Sequence, residues 1–210
     1  MSKIVVIDTG SANSLSIMRS LERFGHAATL TINPSDFDVA TRLILPGVGA
    51  FDSAMEHLTK HKMLDVLEYV VLQKRVPILG ICIGMQILFQ GSDEGARPGI
   101  GLLEGKVERL IFEPNSEFKV PNTGFAKVDN HPSSPLYDGL PQGSYFYFNH
   151  SYAVRSVADD FLVDHANHTL PFIASFSFGN IYGVQYHPEK SQLAGMRVLK
   201  NFLTIEAPVE

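Results

Sequence analysis

The chain has 210 residues, 45% of them hydrophobic, and a formal net charge of -5, which supplies one full core and too little length for two, so a single domain over 1–210 is expected. No run of Lys or Arg forms the basic stripe that nucleic-acid binding needs, and the apolar run at residues 4–7 is too short for a signal-peptide core or a membrane span. The single cysteine excludes an intramolecular disulfide framework and fits a reducing cytoplasm.

In chain order, residues 4–7 are a β-branched run ending at Asp8-Thr9-Gly10, the pattern of a buried strand and a turn. Ile17, Leu21 and Phe24 then recur at helical spacing, with Asn13 or Ser14 as cap and Gly25 as stop. The cycle repeats. Residues 27–30 and 42–45 read as strands, the second running into Pro46-Gly47-Val48-Gly49; a helix carrying Met55, Leu58 and residues 63–72 follows, and 76–81 is the next strand. Alternation of this kind predicts an α/β fold with a mostly parallel central sheet flanked by helices and a site at the carboxyl ends of its strands. From Val107 to Gln185 the pattern changes to short segments between turn signals, at 107–110, 145–148, 172–175 and 181–185, which predicts a portion richer in antiparallel strand. A last helix with Met196, Leu199 and Leu203 on one face follows His187-Pro188-Glu189, and the tail 207–210 is expected to fray.

The sharpest local signal is Pro77-Ile78-Leu79-Gly80-Ile81-Cys82-Ile83-Gly84-Met85-Gln86, a strand running into a helix with the cysteine between two glycines. A lone cysteine in an apolar run is ordinarily a small buried hydrophobe. Interior glycine weakens a strand, however, so a plain β-strand gains nothing from Gly80 and Gly84. A nucleophile elbow requires them, because its strained turn packs the chain closely while presenting the nucleophile. The N-terminus of the following helix would then favour the thiolate.

A thiolate needs a base. Of the eight histidines, His187 stands directly after the Gly183-Val184-Gln185-Tyr186 strand and before a proline. Pro188 fixes the turn so that His187 and Glu189 project from one strand end, the carboxylate orienting the imidazole; taken alone, the tripeptide is more often an exposed turn leading into a helix. His57 and His61 share helical spacing without a further ligand, and His165 with His168 lies in a polar loop, so no metal is assigned. Asp8-Thr9-Gly10-Ser11-Ala12-Asn13 starts like a phosphate loop but lacks the G-x-G-x-x-G spacing and a Lys-Ser/Thr pair, so no nucleotide or other cofactor is expected.

The motif Gly80-Ile81-Cys82-Ile83-Gly84-Met85-Gln86 together with His187-Pro188-Glu189 resembles the class I, triad-type glutamine amidotransferases. Pro46-Gly47-Val48-Gly49, the stretch Tyr145-Phe146-Tyr147-Phe148-Asn149-His150-Ser151-Tyr152 and the start Ile7-Asp8-Thr9-Gly10 are similar to the members serving histidine biosynthesis. The likeness spans nearly the whole chain, and three separated motifs in the right order are far more specific than any one. It implies a flavodoxin-like sheet and glutamine as substrate, with Cys82 as nucleophile, His187 as general base and then acid, and Glu189 as its orienter. It implies an oxyanion site from the Gly47-Val48-Gly49 loop and the N–H of Ile83. Gln86 and Glu94 would hold the glutamine α-amino end, and Tyr147, Ser151 and Tyr152 would lie near its carboxylate; by itself Glu94 is equally a solvated loop charge. It further implies a heterodimer with a (β/α)8-barrel synthase that receives the ammonia through an internal channel, with Lys190 and the loop from Asp8 to Asn13 facing the barrel.

One segment departs from the family pattern. Where histidine-pathway members carry Pro-His-Met-Gly-Trp-Asn, this chain has Pro121-Asn122-Thr123-Gly124-Phe125-Ala126. Phe125 lacks the indole N–H and Asn122 cannot act as the missing histidine. The segment normally meets the barrel, so the triad is untouched while a second partner enters: the synthase of a paralogous amidotransferase, such as one making an amidino sugar for surface polysaccharide. The intact triad argues against a non-catalytic binding module, and the paired His-Pro-Glu against a cysteine hydrolase or deglycase on a related fold.

Overall fold

The computed structural model describes residues 3–11, 13–115 and 117–205; the tail 207–210 lies outside the described residues. In chain order the elements are β1 (Ile4–Ile7), α1 (Ser14–Arg23), β2 (Ala28–Thr31), α2 (Pro34–Phe37), β3 (Arg42–Gly47), α3 (Phe51–Lys60), α4 (Leu64–Glu68), β4 (Ile78–Cys82), α5 (Ile83–Gln86) and β5 (Phe89–Ser92). Then come β6 (Leu103–Arg109), β7 (Asn122–Asp129), β8 (Tyr145–His150), β9 (Tyr152–Val154), β10 (Leu162–Ala166), β11 (Phe172–Phe178), β12 (Ile181–Val184) and α6 (Gln192–Thr204).

A nine-stranded sheet in the order β2-β1-β3-β4-β12-β11-β10-β7-β8 carries the fold. From β2 to β12 neighbouring strands run parallel; from β12 to β8 they run antiparallel. The apolar strands β1, β4 and β12 are buried throughout, as strands covered on both faces must be. A small second sheet, β5-β6-β9, stands beside the large one. No helix among the described residues is long and apolar enough to cross a membrane.

Four expectations change in detail. The sequence pattern groups the strand at 181–185 with the antiparallel set; β12 pairs antiparallel with β11 on one side but also parallel with β4 on the other, and so joins the two halves; short apolar runs do not reveal their second partner. The helix after Cys82 is a single turn, Ile83–Gln86, leading almost at once into β5. In α6 the buried residues are Gly195, Val198, Leu199, Asn201 and Phe202, with Met196 and Leu203 only half-buried. The close contact of Gly195 with the Pro188 carbonyl draws that side of the helix inward. Residues 63–72 form α4 and then widen into a π-helical turn, Tyr69–Gln73.

Register brings the motifs together. Gly47 on β3 pairs with Cys82 on β4, and Val184 on β12 pairs with Ile81, so Gln185 follows at the level of Cys82. Three adjacent parallel strands thus end side by side, delivering the 47–49 loop, the cysteine and the His187 turn to one edge. The approach is close enough to exclude side chains. A Cβ on Gly47 would stand 2.8 Å from Gly84 N and from Ile83 Cβ, and one on Gly80 would stand 2.6 Å from Met85 Cα. A Cβ on Gly84 would penetrate the carbonyl oxygen of Leu45, a backbone atom that cannot swing aside. Gly84→Ala is therefore expected to lose about 3 kcal/mol or more of stability, at the upper end for overpacking, seen as a lower urea midpoint with unchanged slope; a midpoint equal to the parent's would contradict this packing.

Candidate active site

Cys82 ends β4 with φ 55 and ψ -111, in the positive-φ region where non-glycine residues are strained. It is the single free cysteine and is buried, at 3% exposure. Opposite it, Gln185 donates from Nε2 to Cys82 Sγ at 3.7 Å. Gln185 Oε1 accepts from Gln86 Nε2 at 2.9 Å, and Gln86 Nε2 also donates to the Tyr152 carbonyl at 2.8 Å. Gln86 Oε1 is buried with no partner among the described residues. Gln185 was not singled out from the sequence: its only mark is a polar residue just past an apolar strand, and only the β4·β12 register sets it against the sulfur.

His187 and Glu189 flank Pro188 at the 3-10 turn Pro188–Lys190. Their side chains are 2% and 1% exposed, and His187 Nδ1 lies 2.9 Å from Glu189 Oε1. The main chain of His187 is clamped by β8: its N–H donates to the Tyr147 carbonyl at 2.8 Å, and its carbonyl accepts from Ser191 Oγ at 2.7 Å. Ser191 Oγ in turn accepts the Tyr147 N–H at 2.9 Å. With Nδ1 engaged by the carboxylate, Nε2 is the nitrogen left for the sulfur. Burial disfavours the charged imidazole, but hydrogen bonds to Cys82 and Glu189, with the charges those groups carry, outweigh it and raise the pKa to about 9. A thiol, an imidazole and a buried carboxylate in this order can perform nucleophilic acyl chemistry.

These groups open into a cavity of about 290 Å³. Of the residues singled out from the sequence, Val48, Gly49, Cys82, Ile83, Gln86, Glu94, Ser151, Tyr152, His187 and Lys190 line it. Pro121, Asn149 and His150 join them without having been expected. Glu94 is tied down as well as facing the cavity, since its Oε2 accepts the Phe51 N–H at 3.0 Å. Gly47 and Tyr147 are not on the lining: Gly47 lies beneath the elbow, and Tyr147 stands beside His187, ring centroids 6.5 Å apart, with Lys190 Nζ 5.6 Å from its own.

Phe125, at 49% exposure, packs edge-on against Tyr147 at 5.6 Å. Asn122 turns inward, its Nδ2 lying 3.1 Å from His150 Nε2. Burial pulls the His150 pKa down to about 4, so the ring is neutral; its Nδ1 donates to the Tyr152 carbonyl at 2.9 Å, leaving Nε2 to accept from Asn122. Asn13, expected from the resemblance to face the partner, is 6% exposed. The His57 and His61 rings are 4.5 Å apart, and among the described residues no group of three or more His, Cys, Asp or Glu is placed to hold a metal ion.

The family model described as glutamine amidotransferase class-I matches residues 5–205. The chain belongs to that family. It is 40% identical over 203 residues to the imidazole glycerol phosphate synthase subunit HisH 2 of Pseudomonas aeruginosa, covering 96% of this chain and 99% of that one. It is 39% identical to the subunit HisH of Moorella thermoacetica, covering 96% and 94%, and 40% identical to that of Methanosarcina mazei, covering 97% and 98%. Among solved structures, a provisional GMP synthase subunit from Thermoplasma acidophilum superposes with TM-score 0.70 at 26% identity over 97% of this chain and 92% of its own. A second, described as a glutamine amidotransferase, has TM-score 0.73 over 95% and 96%; at 18% identity it shows the shared fold alone.

In this amidotransferase the raised pKa of His187 has a definite sign. The folded value, about 9, lies above the ordinary 6.5, so the stability from that proton is complete below about pH 6.5 and is lost as pH rises through about 9. Cys82 is the first of the interactions holding the proton. In Cys82→Ala the His187 ring is therefore expected to titrate at distinctly lower pH than in the parent, followed by the imidazole carbon-bound protons in NMR. An unmoved titration would mean that the sulfur and the ring do not interact.

Proposed function

We propose that this chain is the glutaminase subunit of imidazole glycerol phosphate synthase: it hydrolyses glutamine to glutamate and ammonia and passes the ammonia to a (β/α)8-barrel synthase subunit in histidine biosynthesis. The single observation that carries the chemistry is a strained Cys82 at the strand end, facing an imidazole whose far nitrogen is held by a buried carboxylate. The relatives named for the histidine-pathway enzyme support that synthase over the amidino-sugar alternative. The chain acts as one glutaminase domain in the cytoplasm, where its lone cysteine stays reduced.

Cys82 Sγ attacks the carboxamide carbon of glutamine, and the carbonyl oxygen becomes an oxyanion received by N–H groups of the 47–49 loop and of Ile83. His187 gives its proton to the departing nitrogen, so the C–N bond breaks, ammonia leaves and a thioester remains. Water then adds to the thioester with His187 as base; the C–S bond breaks and glutamate is released with the thiolate restored. Glu189 keeps Nδ1 protonated and stabilises the imidazolium throughout. Glu94 and the unpartnered Gln86 Oε1 receive the substrate ammonium, while Ser151 and Tyr152 serve its carboxylate. Tyr147, off the cavity, acts instead through the main chain of His187.

Glutamate release from the complex with its barrel and acceptor tests the chemistry. Cys82→Ala and His187→Ala are each expected to lose roughly 10⁴-fold or more in kcat, and Glu189→Gln less, because triad members act as a unit and the orienter matters least. Turnover near the parent's in His187→Ala would remove the triad.

Partner choice is written at 122 and 125. Asn122 holds the cavity-side His150, and Phe125 covers Tyr147 beside Lys190, so both exchanged residues touch groups next to the site. The native barrel has a surface suited to them. A barrel from an unrelated histidine operon is expected to bind weakly and to gain about 1 to 3 kcal/mol from Asn122→His with Phe125→Trp if the aromatic is a central anchor. Calorimetric titration decides; equal affinity of the unaltered chain for both barrels would show that the segment does not select.

A further inference from the structure

The strap from Glu94 to Arg97 and the start of α3 hold one another through carboxylates on both sides. Glu94 Oε2 accepts the Phe51 N–H at 3.0 Å, a helix-start donor that Ala50 has no side-chain group to cap. In return Asp52 Oδ2 accepts the Ala96 N–H at 3.1 Å and Asp52 Oδ1 accepts the Arg97 N–H at 3.0 Å. Between these bonds lies Gly95. A Cβ there would fall on the Asp52 carboxylate, and the three nearest atoms all belong to Asp52. A looser ion pair, Arg97 Nη2 to Glu56 Oε2 at 3.8 Å, joins the same two segments.

Asp52 itself is not on the cavity lining, whereas Glu94 is, and Glu94 Oε1 has no protein partner among the described residues. Charge-assisted hydrogen bonds from two consecutive peptide N–H groups to one carboxylate are strong and directional. They fix the backbone that carries Glu94, and they require residue 95 to be without a side chain. From this we infer that Asp52 is a positioning residue for the substrate: with Gly95 as its obligatory partner, it sets the Glu94 carboxylate where the ammonium of an α-amino acid meets it. The inference rests on the glutamine reading of the cavity and deepens it.

The α-amino group of glutamine is separated from the reacting amide carbon by three carbons. An error in its placement weakens ground state and transition state alike, which raises KM and leaves kcat in place. In the complex with barrel and acceptor, Asp52→Ala is expected to raise KM for glutamine roughly 5- to 30-fold, the loss of charge-assisted hydrogen bonds, with kcat within about twofold. Asp52→Asn does less, since one oxygen still accepts. Gly95→Ala raises KM in the parent but adds nothing in the Asp52→Ala background, because the group it collides with is gone. That non-additivity separates a specific clamp from general damage, and Asp52→Asn with Gly95→Ala decides the matter should Asp52→Ala not fold. An unchanged KM in Asp52→Ala, a fall in kcat matching the rise in KM, or an equal Gly95→Ala effect in both backgrounds would overturn the assignment. Calorimetry of glutamine with Cys82→Ala separates the two levels: no binding there overturns the glutamine site and this inference together, whereas equal binding with and without Asp52→Ala overturns this inference alone.

Discussion

One backbone approach governs the candidate active site: the turn after Cys82 presses against the carbonyl of Leu45 on the neighbouring strand, with no side chain between them. Glycine at 84 permits the contact, and Gly47 and Gly80 permit the packing of Ile83 and Met85 around it. The result is the conformation of Cys82, whose φ of 55 costs on the order of 1 to 3 kcal/mol and persists only where surrounding packing over-determines it. Relaxing that turn would aim the sulfur away from His187. The same approach sets the 47–49 loop beside the elbow, so the position of the sulfur and that of the loop share a single cause.

The histidine turn is fixed from two directions. In front, Ser191 and Tyr147 bind its main chain. Behind, Tyr186 stacks on Phe146 with ring centroids 4.1 Å apart and donates its hydroxyl to Tyr137 at 3.0 Å. That chain continues to Ser175 and ends on Asp164, whose carboxylate accepts from Ser175, Ser134 and the His131 N–H. Burial pushes the Asp164 pKa up against those bonds. A buried polar network of this kind is worth its desolvation only when its members are paired. By contrast Gln86 Oε1 and Glu189 Oε2, both at the site, are buried without partners among the described residues, an arrangement that suits groups serving a ligand or a reacting proton.

Two buried histidines at one cavity differ in protonation because only one of them has neighbours that outweigh burial. Desolvation lowers both. At His150 only neutral or like-charged groups oppose or assist it, and the value falls to about 4. At His187 the sulfur and the carboxylate reverse the sign, to about 9. The first is a fixed structural acceptor for Asn122; the second can carry a proton between substrate atoms.

Much of this was legible in the residues themselves. Symmetric glycines about a lone cysteine, and a proline between histidine and glutamate, are local patterns whose backbone demands are met within a few residues, and the alternation of apolar strands with amphipathic helices set the parallel half. Pairing was not legible. The parallel placement of β12, the contact of Gln185 with the sulfur, the neutral His150 and the Asp52 clamp each join segments distant in the chain, through register and close backbone approach. Tyr147 illustrates the limit: its motif put it near the substrate, yet β8 gives Asn149 and His150 to the cavity lining, while the Tyr147 ring packs against Phe125. By itself the sequence singled out which groups are candidates for the chemistry, because cysteine, histidine, glutamate and glycine are chosen residue by residue. Which groups surround them was decided only by tertiary structure, because strand order and register are properties of the packed sheet and are held in no single segment.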